Sequence, residues 1–353
     1  MVRWLTMCTH PRGELMTRRA TAQDVADLAG VSRSAVSLVL NGRAKGSISA
    51  AKQEAVLEAA RRLDYTPNAV AQSLRTSRTR ILGLLTWRGI GGLPLHLMAA
   101  TLQTSLLAGY KLIKMYAEPT ELDQHRALST LGNRQVDGML VVAPELCEYQ
   151  AVEALSIAPL VLLNCLDPAH HLTSVVPDEE GAGAQAAQLL IDQGHRDIGL
   201  VSGPLTHYQT GLRAYGVQRA LAAAGLPPAQ LQTTEVRVDA GRSAALALLT
   251  SGEPPTALIC SNERLAVGAS FAASELRLSV PADLSVVSLD DREQLASQLH
   301  PELTRVERPD EQMAAQAAEL LIERLESGAA PEAQRYSFVC PVADGASVAP
   351  PRR

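Results

Sequence analysis

Residues 21–65 repeat apolar positions at intervals of three and four. Val25, Leu28 and Ala29 follow Thr21, and Asp24 stands three residues after it, close to a capping box, which predicts a helix starting at Thr21. Gly30 ends that helix in a tight turn, Ser32 caps the next, and Val36, Val39 and Leu40 keep the spacing until Asn41-Gly42 stops it. Ser49 is placed to cap a third helix with Val56, Ala59, Ala60 and Leu63 facing inward. Three short amphipathic helices make one small core.

Beyond Tyr65 the pattern changes. Pro67 fixes the backbone and Asn68 caps the segment NAVAQSLR, which is helix-prone but too short to hold alone in water, so its folding depends on a partner. The following TSRTR, with Arg75, Arg78 and Arg80, reads as a linker near phosphate. From Ile81 onward the apolar runs ILGLLT, YKLIKMY, DGMLVVA, PLVLLN, DIGLVSG, TALICSN and LSVVSLDD alternate with helical stretches such as 181–193, 212–224 and 264–276. That alternation predicts βαβ units and a parallel sheet. Two sheets are expected rather than one, because the acidic DEEGAGAQ near 178 falls midway and leaves a doubly wound lobe on each side.

Charge sharpens the division. Residues 1–80 hold 13 Lys/Arg against 6 Asp/Glu, whereas residues 81–353 hold 19 against 31, so a basic head carrying +7 precedes an acidic body carrying -12. Phosphate attracts the first and repels the second, which is what a nucleic-acid contact by the head requires. With 353 residues the chain is long enough for several domains, and at 46% apolar and 20% charged it is of the globular class. Only 3% of residues are aromatic, which argues against a base-stacking platform and an aromatic-lined sugar groove.

Several classes drop out. The five cysteines, Cys8, Cys147, Cys165, Cys260 and Cys340, are odd in number and none lies within ligand spacing of another, so neither a disulfide framework nor a metal site is expected. No cofactor is expected either. Gly181-Ala182-Gly183 lacks the third glycine of a dinucleotide fingerprint and reads as helix-start chemistry. No G-x-S-x-G or Walker loop occurs, and the pairs Glu179/Glu180 and Asp290/Asp291 are weak evidence for hydrolysis, so catalytic residues are not assigned. His170-His171 reads as a solvated loop and His195 as part of a helix-to-strand turn. The start, MVRWLTMCTHPRGELM, lacks the apolar stretch of a secretory signal, and no run nears the roughly 18 apolar residues of a membrane span, so a cytoplasmic location is expected. Residues 1–16 are expected to form a disordered extension.

The most informative stretch is TAQDVADLAGVSRSAVSLVLNG, positions 21–42: a helix, a glycine turn and a second helix opening Ser32-Arg33-Ser34. This is a helix-turn-helix, whose second helix enters the major groove. Arg33 and Ser34 are the first candidates for base edges, with Ser37 and Leu38 one turn on, and an arginine on a guanine edge contributes roughly 1–3 kcal/mol of discrimination. The bland alternative is an ordinary helix pair, which the +7 head disfavours.

From about Thr17 to the C-terminus the chain resembles the lactose-repressor (LacI/GalR) family of bacterial transcription regulators, through DVADLAGVSRSAVSLVLNG, YTPNAVAQSLRTSRT, QGHRDIGLVSGP and PADLSVVSLDD in order. The resemblance implies an all-α helix-turn-helix head over 17–65, a hinge helix and linker over 66–80, and an α/β effector-binding and dimerisation body over 81–353. That body would have two doubly wound parallel-sheet lobes of the periplasmic-binding-protein type: an N-lobe near 81–173 and 306–333, and a C-lobe near 174–305 and 334–349. It implies a homodimer on a pseudo-palindromic operator, a sugar-like effector between the lobes, and no membrane. No C-terminal heptad zipper is visible, which favours a dimer over a tetramer.

DNA contacts implied by position are Thr21, Ser32, Arg33, Ser34, Ser37, Leu38 and Asn41 in the head. Asn68, Ala71 and Leu74 follow in the hinge, where Leu74 matches the family's minor-groove wedge. The family usually has Arg where Leu38 stands, and the loop from Asn41 to Ile48 is about two residues longer than usual, a departure that bears on operator choice. Effector contacts implied are Arg213, Asn262 and Asp290, with Glu263 where the family more often has Asp, Arg308 where it often has Gln, and Trp87 at the pocket mouth. Ligands of doubly wound lobes lie at the carboxyl ends of strands, where several of these residues fall. For Arg213 and Asp290 the alternative is a structural salt bridge, for Trp87 core packing, and for Leu74 packing against a lobe. A transport-type solute-binding protein would need a signal peptide and no helix-turn-helix; an enzyme on this body would need a chemical motif.

Overall fold

The computed structural model describes residues 20–42, 44–65, 78–87, 95–118, 120–149, 158–328 and 332–352. The chain divides into two units, one ending at Thr79 and one beginning at Arg80.

In the head, α1 (Ala22–Ala29), α2 (Arg33–Leu40) and α3 (Ala50–Arg62) form as the spacing predicts. The capping box is complete: the Asp24 amide donates to Thr21 Oγ1 at 3.3 Å, and the Thr21 amide donates to Asp24 Oδ2 at 2.7 Å. Gly30 then takes the left-handed conformation, φ 63°, that ends α1. Ser32 Oγ accepts from the Ala35 amide at 3.2 Å and starts α2. Ser49 occupies the N-cap of α3 without a side-chain bond; Gln53 Nε2 instead reaches back to the Ile48 carbonyl at 2.7 Å. Val25, Val36, Val39, Val56 and Ala59 close the core, joined by Ala44 from the long loop that carried no helical pattern.

The body opens with β1 (Ile81–Trp87), α4 (Leu95–Leu107), β2 (Lys111–Ala117), α5 (Glu121–Asn133), β3 (Gly138–Glu148), β4 (Leu160–Leu166) and β5 (Thr173–Pro177). It continues through α6 (Glu179–Asp192), β6 (Ile198–Ser202), α7 (Tyr208–Ala223), β7 (Gln230–Thr233), α8 (Val238–Leu249), β8 (Ala257–Cys260), α9 (Glu263–Glu275), β9 (Ser285–Leu289) and β10 (Thr304–Val306). It ends with α10 (Asp310–Ser327), β11 (Arg335–Phe338) and β12 (Val342–Ala343). Two six-stranded sheets result, ordered β11-β5-β4-β3-β1-β2 and β12-β10-β9-β8-β6-β7. Among the described residues every pairing is parallel except β10 with β12. Apolar clusters cover both faces of each sheet, which is why the central strands read as continuous apolar runs rather than alternating ones.

The pairings move the expected lobe boundaries. Residues 174–177 and 335–338 fall in the first sheet, not the second, because β5 pairs with β4 and β11 pairs with β5. Val306 falls in the second, where β10 pairs with β9. The chain therefore crosses between lobes three times: after Pro177, between Val306 and Asp310, and between Phe338 and Val342. Arg80 also departs from its expected place in a phosphate-facing linker. Its backbone amide donates to Asp137, its guanidinium lies 4.9 Å over the Tyr110 ring, and Nη1 pairs with Glu326 at 3.1 Å, so it belongs to the first lobe.

In the second lobe α6 and α7 approach so closely that side chains are excluded at their crossing. A Cβ on Gly183 would lie 2.0 Å from the Arg213 carbonyl oxygen, and one on Gly216 would lie 2.0 Å from that of Glu180. Glycine at both positions brings the first turn of α6 beside Arg213 of α7. His195 secures the other end of this lobe, with Nδ1 2.8 Å from Thr256 Oγ1 and Nε2 2.9 Å from the Ala349 carbonyl, which it holds as donor. The turn role expected of His195 extends to anchoring the C-terminal segment.

Candidate functional site

Two sites emerge, one in each unit. On α2, Val36 and Val39 enter the core, while Arg33, Ser34, Ser37 and Leu38 are exposed along the opposite side. At 100° per residue these four span an arc of roughly 140°, wide enough for a groove-facing surface. Arg33 has no hydrogen bond or ion pair among the described residues, so its guanidinium is available to an outside acceptor. Ser34 Oγ lies 2.9 Å from Ser32 Oγ, and Asn41 Nδ2 donates to the Ser37 carbonyl at 2.6 Å and to Ser37 Oγ at 3.2 Å. Thr21 is held in its capping box at the start of α1. Asn68, Ala71 and Leu74 lie outside the described residues.

The second site sits where the three crossings meet the carboxyl ends of β8 and β9. Arg213 is buried, and its Nε donates to Glu179 Oε2 at 2.5 Å. Nη1 donates to the carbonyls of Ser261 and Leu289 at 2.6 and 2.9 Å, and Nη2 lies 3.5 Å from Asp290 Oδ2. One side chain thus ties the first turn of α6 to the ends of two strands. Burial alone would lower the Arg213 pKa, but Glu179 and Asp290 outweigh it and hold the guanidinium firmly charged.

Asp290 stands at φ 99°, a backbone region L-residues rarely adopt, immediately past β9. Burial disfavours its charge, yet Arg308, Arg292 and Arg213 together pull its pKa below the ordinary carboxylate value. Arg308, in the second crossing, is bidentate to Asp310 at 2.5 and 3.0 Å. Its Nη1 and Glu179 Oε1 are both buried and without a hydrogen-bond partner among the described residues. A buried donor and a buried acceptor left open each cost about 1–3 kcal/mol, a cost relieved by a polar ligand or water.

Asn262 caps α9 through Oδ1, accepting from the Arg264 amide at 2.7 Å, and its Nδ2 donates to Glu263 Oε2 at 2.7 Å. Burial, reinforced by nearby Asp290, pushes the Glu263 carboxyl up to about 7. Beside this cluster a cavity of about 380 Å³ is lined by His96 from the first lobe, Asp290, Arg292, Arg308 and Asp310 among others, with no Trp, Tyr or Phe among the described residues that line it. Its size lies at the lower end of the range for small-molecule sites. The lobes also meet directly, through His96 Nε2 and Gln294 Nε2 at 3.1 Å and through Arg292 Nη1 donating to the Pro144 carbonyl.

The structure brings Arg213, Asp290, Arg308, Glu263 and Asn262 together and leaves Trp87 apart. Trp87 is 9% exposed, stacked on Tyr149 with centroids 6.3 Å apart inside an apolar cluster of the first lobe, so packing replaces its expected place at a pocket mouth. Sequence reasoning missed Glu179 and Arg292. Glu179 was visible only as half of an acidic pair, and nothing in its spacing marks it as the partner of an arginine 34 positions on. Arg292 follows the Asp290-Asp291 pair and lies 3.5 Å from Asp290, a contact created by the turn after β9.

Comparison with known proteins places both units. Residues 21–68 match the model described as bacterial regulatory proteins, lacI family, and residues 187–348 match the periplasmic binding protein-like domain. The chain is 31% identical to the HTH-type transcriptional repressor PurR of Edwardsiella ictaluri over 87% of this chain and 91% of that protein. It is 32% identical to the ribose operon repressor of Escherichia coli, over 87% and 93% respectively. Among solved structures, the lac repressor dimer bound to operator and the anti-inducer ONPF superposes with a TM-score of 0.79 at 25% identity, covering 94% of this chain and all of that one.

Proposed function

This chain belongs to the lacI family of bacterial regulatory proteins, and on that premise we propose that it is a transcriptional repressor, not an enzyme, whose hold on operator DNA is set by a small molecule in the cleft of the body. The observation that carries the DNA half of this reading is Arg33: an exposed arginine at the first turn of α2, without a partner among the described residues. A cation in that position on a helix-turn-helix finds its acceptor in the groove.

Arg213, Asp290, Asn262, Glu263 and Arg308 form the effector site in this reading. Glu179 and Arg308 lie at the first two crossings, and Arg213 and Asp290 join them. A ligand that engages Asp290 or the open Nη1 of Arg308 therefore acts on the segments about which the lobes turn. Effector binding and operator binding then become linked free energies. The low aromatic content of the cavity favours a polar ligand held by hydrogen bonds over one stacked on rings.

The repressor works as a homodimer. Leu95, Ala99, Leu102 and Leu106 recur at i, i+4, i+7 and i+11 along α4 and form an exposed apolar stripe, with Leu95 76% and Leu106 55% exposed. A second copy would cover it, as two copies would also present paired reading helices to a pseudo-palindromic site. No helix of the described residues is long and apolar enough to cross a membrane, and the operator it would bind lies in the cytoplasm.

The test is enrichment of a randomised duplex pool by the full chain, followed by a metabolite screen read as release of the enriched duplex. Enrichment of a two-fold symmetric sequence and a metabolite that changes its affinity support the reading. Indiscriminate binding, equal to that of random competitor with every metabolite, would overturn it.

A further inference from the structure

The outward face of α2 carries one apolar side chain among polar ones. Leu38 is 37% exposed and takes no part in the core that Val36 and Val39 enter. An isolated exposed leucine needs no explanation on an ordinary surface. Here it shares an arc with Arg33, Ser34 and Ser37, and the local chemistry of that arc narrows what each can do. Ser34 Oγ lies in hydrogen-bond contact with Ser32 Oγ, and Ser37 Oγ accepts from Asn41 Nδ2. Arg33 has no partner among the described residues, and Leu38 offers only hydrocarbon.

A leucine pressed against base edges has one favourable partner in the major groove. Adenine, guanine and cytosine present amino groups, ring nitrogens or carbonyls, whose water a leucine would strip without replacement, whereas thymine presents its 5-methyl group. We propose that Leu38 reads a thymine methyl, so that the operator carries a thymine at one fixed position in each half-site. This rests on the reading of the chain as an operator-binding repressor. Arg33 and Leu38 are five residues apart, about 7.5 Å along the helix at 1.5 Å per residue. At about 3.4 Å per base on one strand, the thymine falls about two steps from the base that Arg33 contacts.

Leu28 is 45% exposed but lies on α1, outside this face, and serves as the control. The full chain is used to enrich a randomised synthetic duplex pool, and the enriched duplex is then remade with deoxyuridine replacing one thymine at a time, which removes the methyl group and nothing else. The expected result is a loss of about fourfold per half-site at one symmetric position, the equivalent of the ~0.8 kcal/mol of one buried carbon. Leu38→Ala should bind the thymine and deoxyuridine duplexes equally, Leu28→Ala should discriminate as the unmodified chain does, and both should melt as it does. Equal binding of every deoxyuridine duplex by the unmodified chain, or full discrimination retained by Leu38→Ala, overturns the proposal. Failure of the unmodified chain to enrich any sequence overturns the operator reading along with it.

Discussion

Arg213 and Glu179 form an ion pair at 2.5 Å with both side chains closed off from solvent, 4% and 0% exposed, across the glycine crossing of α6 and α7. Burying two charges is costly, and their attraction together with the carbonyls of Ser261 and Leu289 offsets that cost. The pair is thus worth little net but much if halved.

Removing one partner tests this. Arg213→Met should destabilise the body by about 3–5 kcal/mol in urea unfolding, because Glu179 and Asp290 lose their compensation. Adding Glu179→Gln to Arg213→Met should restore a substantial part of that loss. If the double variant is less stable than the single one by the full cost of a second independent mutation, the two residues are not coupled.

Glu263 gives a pH signature. Its carboxyl is raised by burial and by Asp290 from 4.5 to about 7, with Arg292 opposing and Glu293 adding to the shift. The folded state therefore holds a proton that the unfolded state releases, so this contribution to stability is full below about pH 4.5 and is lost as pH rises through 7. Glu263→Gln keeps an oxygen for Asn262 Nδ2 and has no charge to bury. Its urea midpoint should exceed that of the unmodified chain at pH 8 and converge with it near pH 5.

The slope from His195 runs the other way. Burial lowers its pKa below 6.5 although the Ala349 carbonyl opposes the shift, so the unfolded chain binds the proton first and stability falls as pH drops below about 6.5. Nε2 also lies 3.0 Å from Ser285 Oγ, which itself donates to Ala349. His195→Gln should flatten the loss of stability between pH 7.5 and 5.5. It should also raise amide exchange near Ala349, whose carbonyl loses the imidazole donor and keeps only Ser285 Oγ.

Much of this architecture was legible because local signals agreed. The capping residues Thr21 and Ser32 and the turn at Gly30 are read from neighbours within four positions, and the apolar runs of β4, β6, β8 and β9 are buried along their whole length. β7, β10, β11 and β12 were not legible, being two to four residues long and defined by partners far along the chain. The same distance effect divides the polar cluster around Arg213. Asp290 and Asn262 announce themselves at strand ends, whereas Glu179 becomes a partner of Arg213 only because Gly183 and Gly216 let two helices touch. Trp87 failed in the opposite sense: its place at a strand end was right, but Tyr149 takes the ring into the core.

The α4 stripe decides whether the proposed dimer is real. Leu97 turns inward on this helix, so the exposure of Leu95, Leu102 and Leu106 is not a fault of packing against the sheet but a second apolar face. Each leucine covered by a partner contributes roughly 1.5–3 kcal/mol, and a carboxylate in its place would have to be buried unpaired at the same contact. Leu102→Glu with Leu106→Glu should therefore sediment as a monomer at concentrations where the unmodified chain is a dimer, with the melting of the isolated fold little changed because both sites face outward. Operator affinity should fall and become steeply dependent on protein concentration, since two half-sites must then be filled by separate binding events. A variant that stays dimeric would show that the stripe is not the interface; one that is monomeric but binds the full operator undiminished would show that DNA recognition does not depend on it.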